Sequence, residues 1–203
     1  AKTGKKRMSR VKMAAEEKPD ISVKDLLAPF RVTNGKDFRL TDHPTEDTRS
    51  DFDFDRQMSD ALMKDGVSDL QQLQDRLYAD DRWSVLLIFQ AMDGAGKDST
   101  IKHVMSGVNP QGCQVHAFKR PSEEELDHDF LWRTNKALPE RGRIGIFNRS
   151  YYEEVLVVRV HPAILEKQRI PSQFIDDRIW ERRLKAIRQN EKFLSHQGVK
   201  IIK

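Results

Sequence analysis

The apolar run from Trp83 to Phe89 leads directly into Asp93-Gly94-Ala95-Gly96-Lys97, and helical spacing then resumes through Met105. A run of that length reads as a strand buried on both faces. A glycine turn between such a strand and a helix leaves a row of free backbone N–H groups at the helix start, where an anion can sit if no side chain blocks it. This unit limits the chain to folds in which a parallel sheet carries helices and presents a loop at the strand's C-terminal edge.

The flanking sequence repeats the alternation. Gln114 to Phe118 and Ile144 to Phe147 read as further short strands, and Val199 to Ile202 as a fourth. Between them, Ser122 with Glu125 forms a capping box predicted to open a helix through Leu138. Ser150 with Glu153 forms a second, so the β-branched stretch Val155 to Val160 is assigned to a helix. Ile175 to Leu194 reads as an amphipathic helix with Ile175, Ile179, Leu184, Ile187 and Leu194 inward. Upstream, Asp55 to Ala79 has helical spacing with an interruption near Gly66 and Ser68 placed as a cap. The expected fold class is α/β with a parallel sheet. Residues 1–55 form a basic tail and an irregular N-terminal arm carrying Pro29, Asn34-Gly35 and Pro44; residues 56–203 form the core.

Charge bears on partners. Residues 1–12 hold six cations and no acid, so the net charge of +4 becomes −2 for the rest of the chain. The body is not basic, the short tail reads as a solvated mobile end, and nucleic acid is not an expected partner. No apolar stretch approaches the roughly 20 residues of a membrane span, and no secretory signal is visible. The lone Cys113 allows no internal disulfide, and a cytoplasmic setting is expected.

In the loop, Gly94 and Gly96 open the turn and Lys97 can place its ammonium between phosphates. Ala91 stands where a first glycine belongs and Asp98 where a metal-binding Ser or Thr belongs. Another hard oxygen must then serve Mg²⁺, and Asp93 is the candidate. Alternatively, the segment is a tight turn with Asp93 as a helix cap. At the end of the third strand, Asn148 and Arg149 should face the same crevice. Arg149 can bridge two phosphates and stabilise a transferring group; Asn148 serves either as a neutral metal ligand or as a cap.

Three ordered blocks, QAMDGAGKDST from Gln90, FKRPSEEELDHDFLWR from Phe118 and RIGIFNRSYYEEVLVVRVHP from Arg143, resemble polyphosphate kinase family 2, from about Leu73 onward. The resemblance implies a three-layer P-loop kinase-like fold. It further implies transfer of the terminal phosphoryl group of inorganic polyphosphate to a nucleoside mono- or diphosphate, with Mg²⁺ (or Mn²⁺), by a homo-oligomer, a dimer or tetramer. Carried over by position, Asp93, Lys97 and Arg149 are the catalytic set, and Asp93 and Asn148 the metal ligands. Phosphate binding falls to Gly94, Ala95, Gly96, Lys97, Asp98, Lys119, Arg133 and Arg159, though the last three read equally well as surface ion pairs. Relatives in other branches have aspartate at the position of Asn148, and glycine is the family's usual residue at that of Ala91. They also continue into a basic lid, so the chain shown is expected to be part of a longer protein whose C-terminal lid region is absent here. Two other readings remain open: an ATP-dependent nucleoside monophosphate kinase of the thymidylate-kinase type, and a non-catalytic phosphate-binding scaffold. His128, beside Asp129, reads as structural, and the scattered histidines offer no zinc pattern.

Overall fold

The computed structural model describes residues 24, 27–43 and 56–203. The cationic tail at residues 1–12, expected to be a mobile end, and Pro44 of the arm lie outside them. The chain divides into two units, residues 1–53 and 54–203. In the first, two 3-10 turns, Ala28–Phe30 and Leu40–Asp42, flank an Asx turn in which the backbone N–H of Lys36 donates to Asn34 Oδ1 at 3.1 Å.

The second unit opens with helix α1 (Arg56–Asp80), followed by β1 (Ser84–Phe89), α2 (Lys97–Val104), β2 (Cys113–Ala117), α3 (Glu123–Leu126) and α4 (Trp132–Lys136). Then come β3 (Ile144–Asn148), α5 (Glu153–Val160), α6 (Pro162–Glu166), α7 (Ile179–His196) and β4 (Val199–Ile202). All strand pairs are parallel, in the order β2-β3-β1-β4. In β1 and β3, Phe89 faces Asn148 in register, so the two strands end side by side and the segments that follow them emerge together. The core joins Leu86 and Ile88 of β1, Phe147 of β3, Val155 of α5, and Ile187 and Leu194 of α7, with Phe118 and Tyr151.

Five expectations need correction. Helix α1 runs through Gly66 without a break. A glycine costs only about 1 kcal/mol there, and downstream the buried Gln74 holds the helix by its amide, donating to Asn109 O at 2.8 Å and accepting from the N–H of Asn109 at 2.8 Å. The Ser122 capping box forms, with the Glu125 N–H donating to Ser122 Oγ at 3.2 Å and the Ser122 N–H to Glu125 Oε2 at 2.8 Å. Its helix nevertheless ends at Leu126, because Asp129 turns its carboxylate onto the N–H of Leu131 at 2.9 Å and offers the backbone a local alternative to the helix. The second box does not form. Ser150 Oγ accepts from the N–H of Tyr152 and donates to Gln90, although α5 is a helix as expected. Helix α7 starts at Ile179 because Asp176 accepts from the N–H of Arg178 at 2.9 Å in a turn before it, leaving Ile175 outside the helix and exposed; Leu184, within the helix, is exposed as well. Strand β1 alternates buried and half-buried residues, with Trp83 outside it and exposed. Its apolar run reflects an interior place in the sheet, not equal cover on both faces; β3 is buried at four of five positions.

Candidate functional site

Beyond β1 the chain enters the glycine turn. Gly94 and Gly96 take φ +80° and +86°, the left-handed region that other residues reach only at a cost. A Cβ at either would meet nothing within 4 Å, so the demand for glycine is conformational rather than steric. Gly96 is the N-cap of α2 and receives no side-chain cap, and Asp93 is not a helix cap. Lys97 heads the helix with its side chain only 9% exposed, and its ammonium donates to the backbone oxygens of Ala91 at 2.8 Å and Met92 at 2.9 Å.

The end of β3 supplies the opposing wall. The Arg149 N–H donates to Phe89 O at 3.0 Å, extending the β1–β3 ladder by one step. Arg149 itself has φ +65°, a conformation costing a non-glycine residue about 1 kcal/mol. Its guanidinium pairs with Asp93, whose side chain is 80% exposed and also lies 4.0 Å from the Lys97 ammonium. Asn148 is not a cap either: its amide donates to the carboxylate of Asp98. The Asp93 end of the Arg149 pair is open to water, where an ion pair contributes at most about 1 kcal/mol, so an anion can exchange with it readily.

A cavity of about 590 Å³ lies over these groups, lined by Asp93, Gly94, Gly96, Lys97 and Asp98 of the loop, Asn148 and Arg149 after β3, and Lys119 and Arg120 after β2. Ala95 lies within the same turn, its N–H donating to Met92 O at 3.2 Å. Three strand ends thus bring four cations and two carboxylates to one place. Arg120 was not singled out from sequence; its signal was its place beside Lys119 at the C-terminal edge of a strand.

Two expected phosphate contacts lie elsewhere. Arg159 sits exposed in the last turn of α5 and lines neither cavity described here. Arg133 is buried: Nη1 donates to Lys119 O at 2.8 Å, and the guanidinium stands 5.5 Å from the Phe118 ring centre, 3.6 Å from Glu125 and 3.9 Å from Glu154. It faces a second cavity of about 490 Å³, which Phe130, Glu154, Gln168 and Arg183 also line. There the buried Arg183 donates to Glu154 Oε2 at 3.1 Å and to its backbone oxygen at 3.0 Å, and Gln168 donates to Glu154 at 2.7 Å. Burial draws the Arg183 pKa below the usual guanidinium value, against the pull of Glu154. His128 stacks on Trp132 with ring centres 4.0 Å apart, a packing role. Behind Arg149, Tyr151 and Tyr152 both donate to Glu191, at 2.9 and 2.8 Å. Burial above all, then the Glu191 charge, pushes the Tyr151 phenol far up, so it stays a proton donor.

No cluster of three or more His, Cys, Asp or Glu among the described residues is arranged to hold a metal. The carboxylates of Asp93 and Asp98 and the amide of Asn148 nevertheless line one cavity, a sparse set of hard oxygens. Such a set suits Mg²⁺, which keeps much of its water and takes phosphate oxygens as ligands. No helix among the described residues is long and apolar enough to cross a membrane.

The family model for polyphosphate kinase 2 (PPK2) matches residues 53–203. An ADP-polyphosphate phosphotransferase of Rhodopseudomonas palustris is 51% identical over 175 residues, covering 86% of this chain and 60% of the relative. An AMP/ADP-polyphosphate phosphotransferase of Meiothermus ruber is 45% identical over 134 residues, 66% of this chain and 46% of that one. The crystal structure of polyphosphate kinase 2 from Arthrobacter aurescens superposes with a TM-score of 0.73 at 38% identity, over 84% of this chain and 57% of that one. The chain therefore spans under two thirds of the length of each of these relatives. The match over residues 53–203, with a strand–turn–helix loop and an arginine after β3 facing one cavity, makes the chain a member of the polyphosphate kinase 2 family, with its P-loop kinase-like α/β fold.

Proposed function

We propose that the chain transfers the terminal phosphoryl group of inorganic polyphosphate to a nucleoside mono- or diphosphate, making ATP from ADP or ADP from AMP. The observation that carries this reading is the convergence of Lys97, Lys119, Arg120 and Arg149 on one cavity, with carboxylates confined to the loop. The activities for which the relatives above are named support the choice of donor and acceptor.

Phosphoryl transfer depends on alignment and charge neutralisation. Donor and acceptor are both polyanions and repel unless cations lie between them. On ligand entry, Lys97 exchanges the carbonyls of Ala91 and Met92 for phosphate oxygens, while the N–H groups at the start of α2 bind the same group. Arg149 leaves Asp93 and spans donor and acceptor, the planar fork matching two oxygens at once. Asp93, released from Arg149, and Asn148 would hold Mg²⁺. Bound there, the cation would supply further neutralisation of the phosphoryl oxygens and help orient them. Lys119 and Arg120 then guide the polyphosphate chain. A terminal nucleotide phosphate is already anionic near neutral pH, its second ionisation lying near 6, so no side chain need act as a general base. We infer, from the family, assembly as a homo-oligomer.

The test is incubation of the chain with Mg²⁺, ADP and long-chain polyphosphate, reading ATP by luciferase. ATP formation that requires polyphosphate is the expected result. Turnover only with ATP as donor and a nucleoside monophosphate as acceptor would overturn the assignment.

A further inference from the structure

The left-handed backbone of Arg149 needs something to hold it, and the side chain of Gln90 is placed to do so. Gln90 is half-buried and is the first residue after β1, immediately before the loop. Its amide makes two contacts with the segment after Arg149. Gln90 Oε1 accepts from Ser150 Oγ at 3.1 Å, and Gln90 Nε2 donates to Glu153 Oε1 at 2.5 Å. Ser150 is fully buried, and its Oγ in turn accepts from the N–H of Tyr152 at 3.1 Å. Hydrogen bonds therefore run in one direction from the Tyr152 N–H through Ser150 and Gln90 to Glu153, around the turn that Arg149 begins. The backbone bond from the Arg149 N–H to Phe89 O closes the other side.

We propose that Gln90 is a positioning residue that locks the Arg149 turn to the start of the phosphate loop, so that the backbone positions from which the Arg149 and Lys97 side chains reach the cavity stay fixed relative to each other. The proposal rests on the phosphotransfer reading for its kinetic consequence, but the lock itself is a property of the folded chain. An amide is suited to the place because it accepts at one end and donates at the other. A glutamate at position 90 would set a carboxylate against Glu153, and a leucine would leave Ser150 and Glu153 without this partner. Reversing both polar ends restores the match: in Gln90→Glu combined with Glu153→Gln, the new carboxylate accepts from Ser150 and from the amide at 153.

The experiment compares Gln90→Leu, Gln90→Glu and the Gln90→Glu/Glu153→Gln pair in the full chain. Two readouts are taken: steady-state kinetics with ADP and polyphosphate, and amide hydrogen exchange at Arg149 by NMR. Misplacing a charge-stabilising group lowers kcat about 30-fold in both single variants, with KM for polyphosphate changed less than about threefold. Exchange at the Arg149 amide speeds up about tenfold as the turn opens more often. The double variant returns kcat and exchange to within about threefold of the parent. Unchanged exchange at Arg149 in both single variants, or no recovery in the double variant, overturns the lock. Should the parent chain make no ATP, the phosphotransfer reading fails on its own. The exchange measurements then decide the lock, acceleration with recovery supporting it and their absence overturning it.

Discussion

The chain has two cavities that each contain arginine and carboxylate, yet they use charge in opposite ways. Around the loop, Asp93 is 80% exposed and its pairing with Arg149 is open to water, so phosphate can replace it at small cost. Around the second cavity, Arg183 and Glu154 are 5% and 4% exposed, and Gln168 takes up further hydrogen-bonding capacity. That pair is fixed in place, because removing either member strands a charge in a medium that cannot solvate it. On the proposed reading, the same two residue types serve binding where they are wet and structure where they are dry.

The contrast is broken most severely at Glu154. Glu154→Leu leaves Arg183 buried without its partner, and chemical denaturation should show a loss of about 3 kcal/mol. If instead the variant keeps its stability and loses only turnover, the buried pair belongs with the functional groups and the division fails. Lys97→Ala should do the reverse: turnover falls at least about 100-fold, on the scale of losing one preorganised charge-stabilising group. Its thermal midpoint should stay within about 2 °C, since the lost bonds are to backbone oxygens of an exposed loop. A loss of turnover under threefold would contradict the assignment. Arg149→Lys keeps the charge and removes the fork. A roughly tenfold fall in kcat, with little change in KM, would locate the benefit in two-point bridging at the transition state.

The sheet, its parallel sense and the glycine loop were legible because they rest on local patterns: an apolar run, a closely spaced glycine pair, and helical spacing. Lys97, Asp93, Asn148 and Arg149 could be placed together because strands that end in register deliver their next residues to one edge. The failures share a cause. Ser150 and Glu153 have the spacing of a capping box, but Gln90, sixty positions upstream, takes both side chains. Likewise Asp129 and Asp176 cut helices short through side-chain turns that hydrophobic periodicity does not register. Arg133 shares a block of sequence with Lys119, and nothing local says that one cation turns inward beneath the aromatic ring of Phe118 while the other lines the cavity.

Arg159 gives the smallest and most discriminating expectation. Family resemblance alone made it a phosphate contact, whereas it projects from the last turn of α5 and lines neither cavity. There a cation does little beyond favouring the carbonyl end of its own helix, an effect of about 0.5 kcal/mol at an exposed position. Arg159→Ala should change kcat and KM for polyphosphate less than about twofold, and the thermal midpoint by about 1–2 °C. The parallel substitution Lys119→Ala should raise KM about fivefold, since it removes a charge that lines the cavity. Measuring both as a function of added salt separates the two positions further. The Lys119 effect should shrink as the ions screen polyphosphate, and the Arg159 value should stay flat. A large, salt-sensitive KM effect at Arg159 would mean that the polyphosphate path extends along α5, beyond the cavity where the four cations meet.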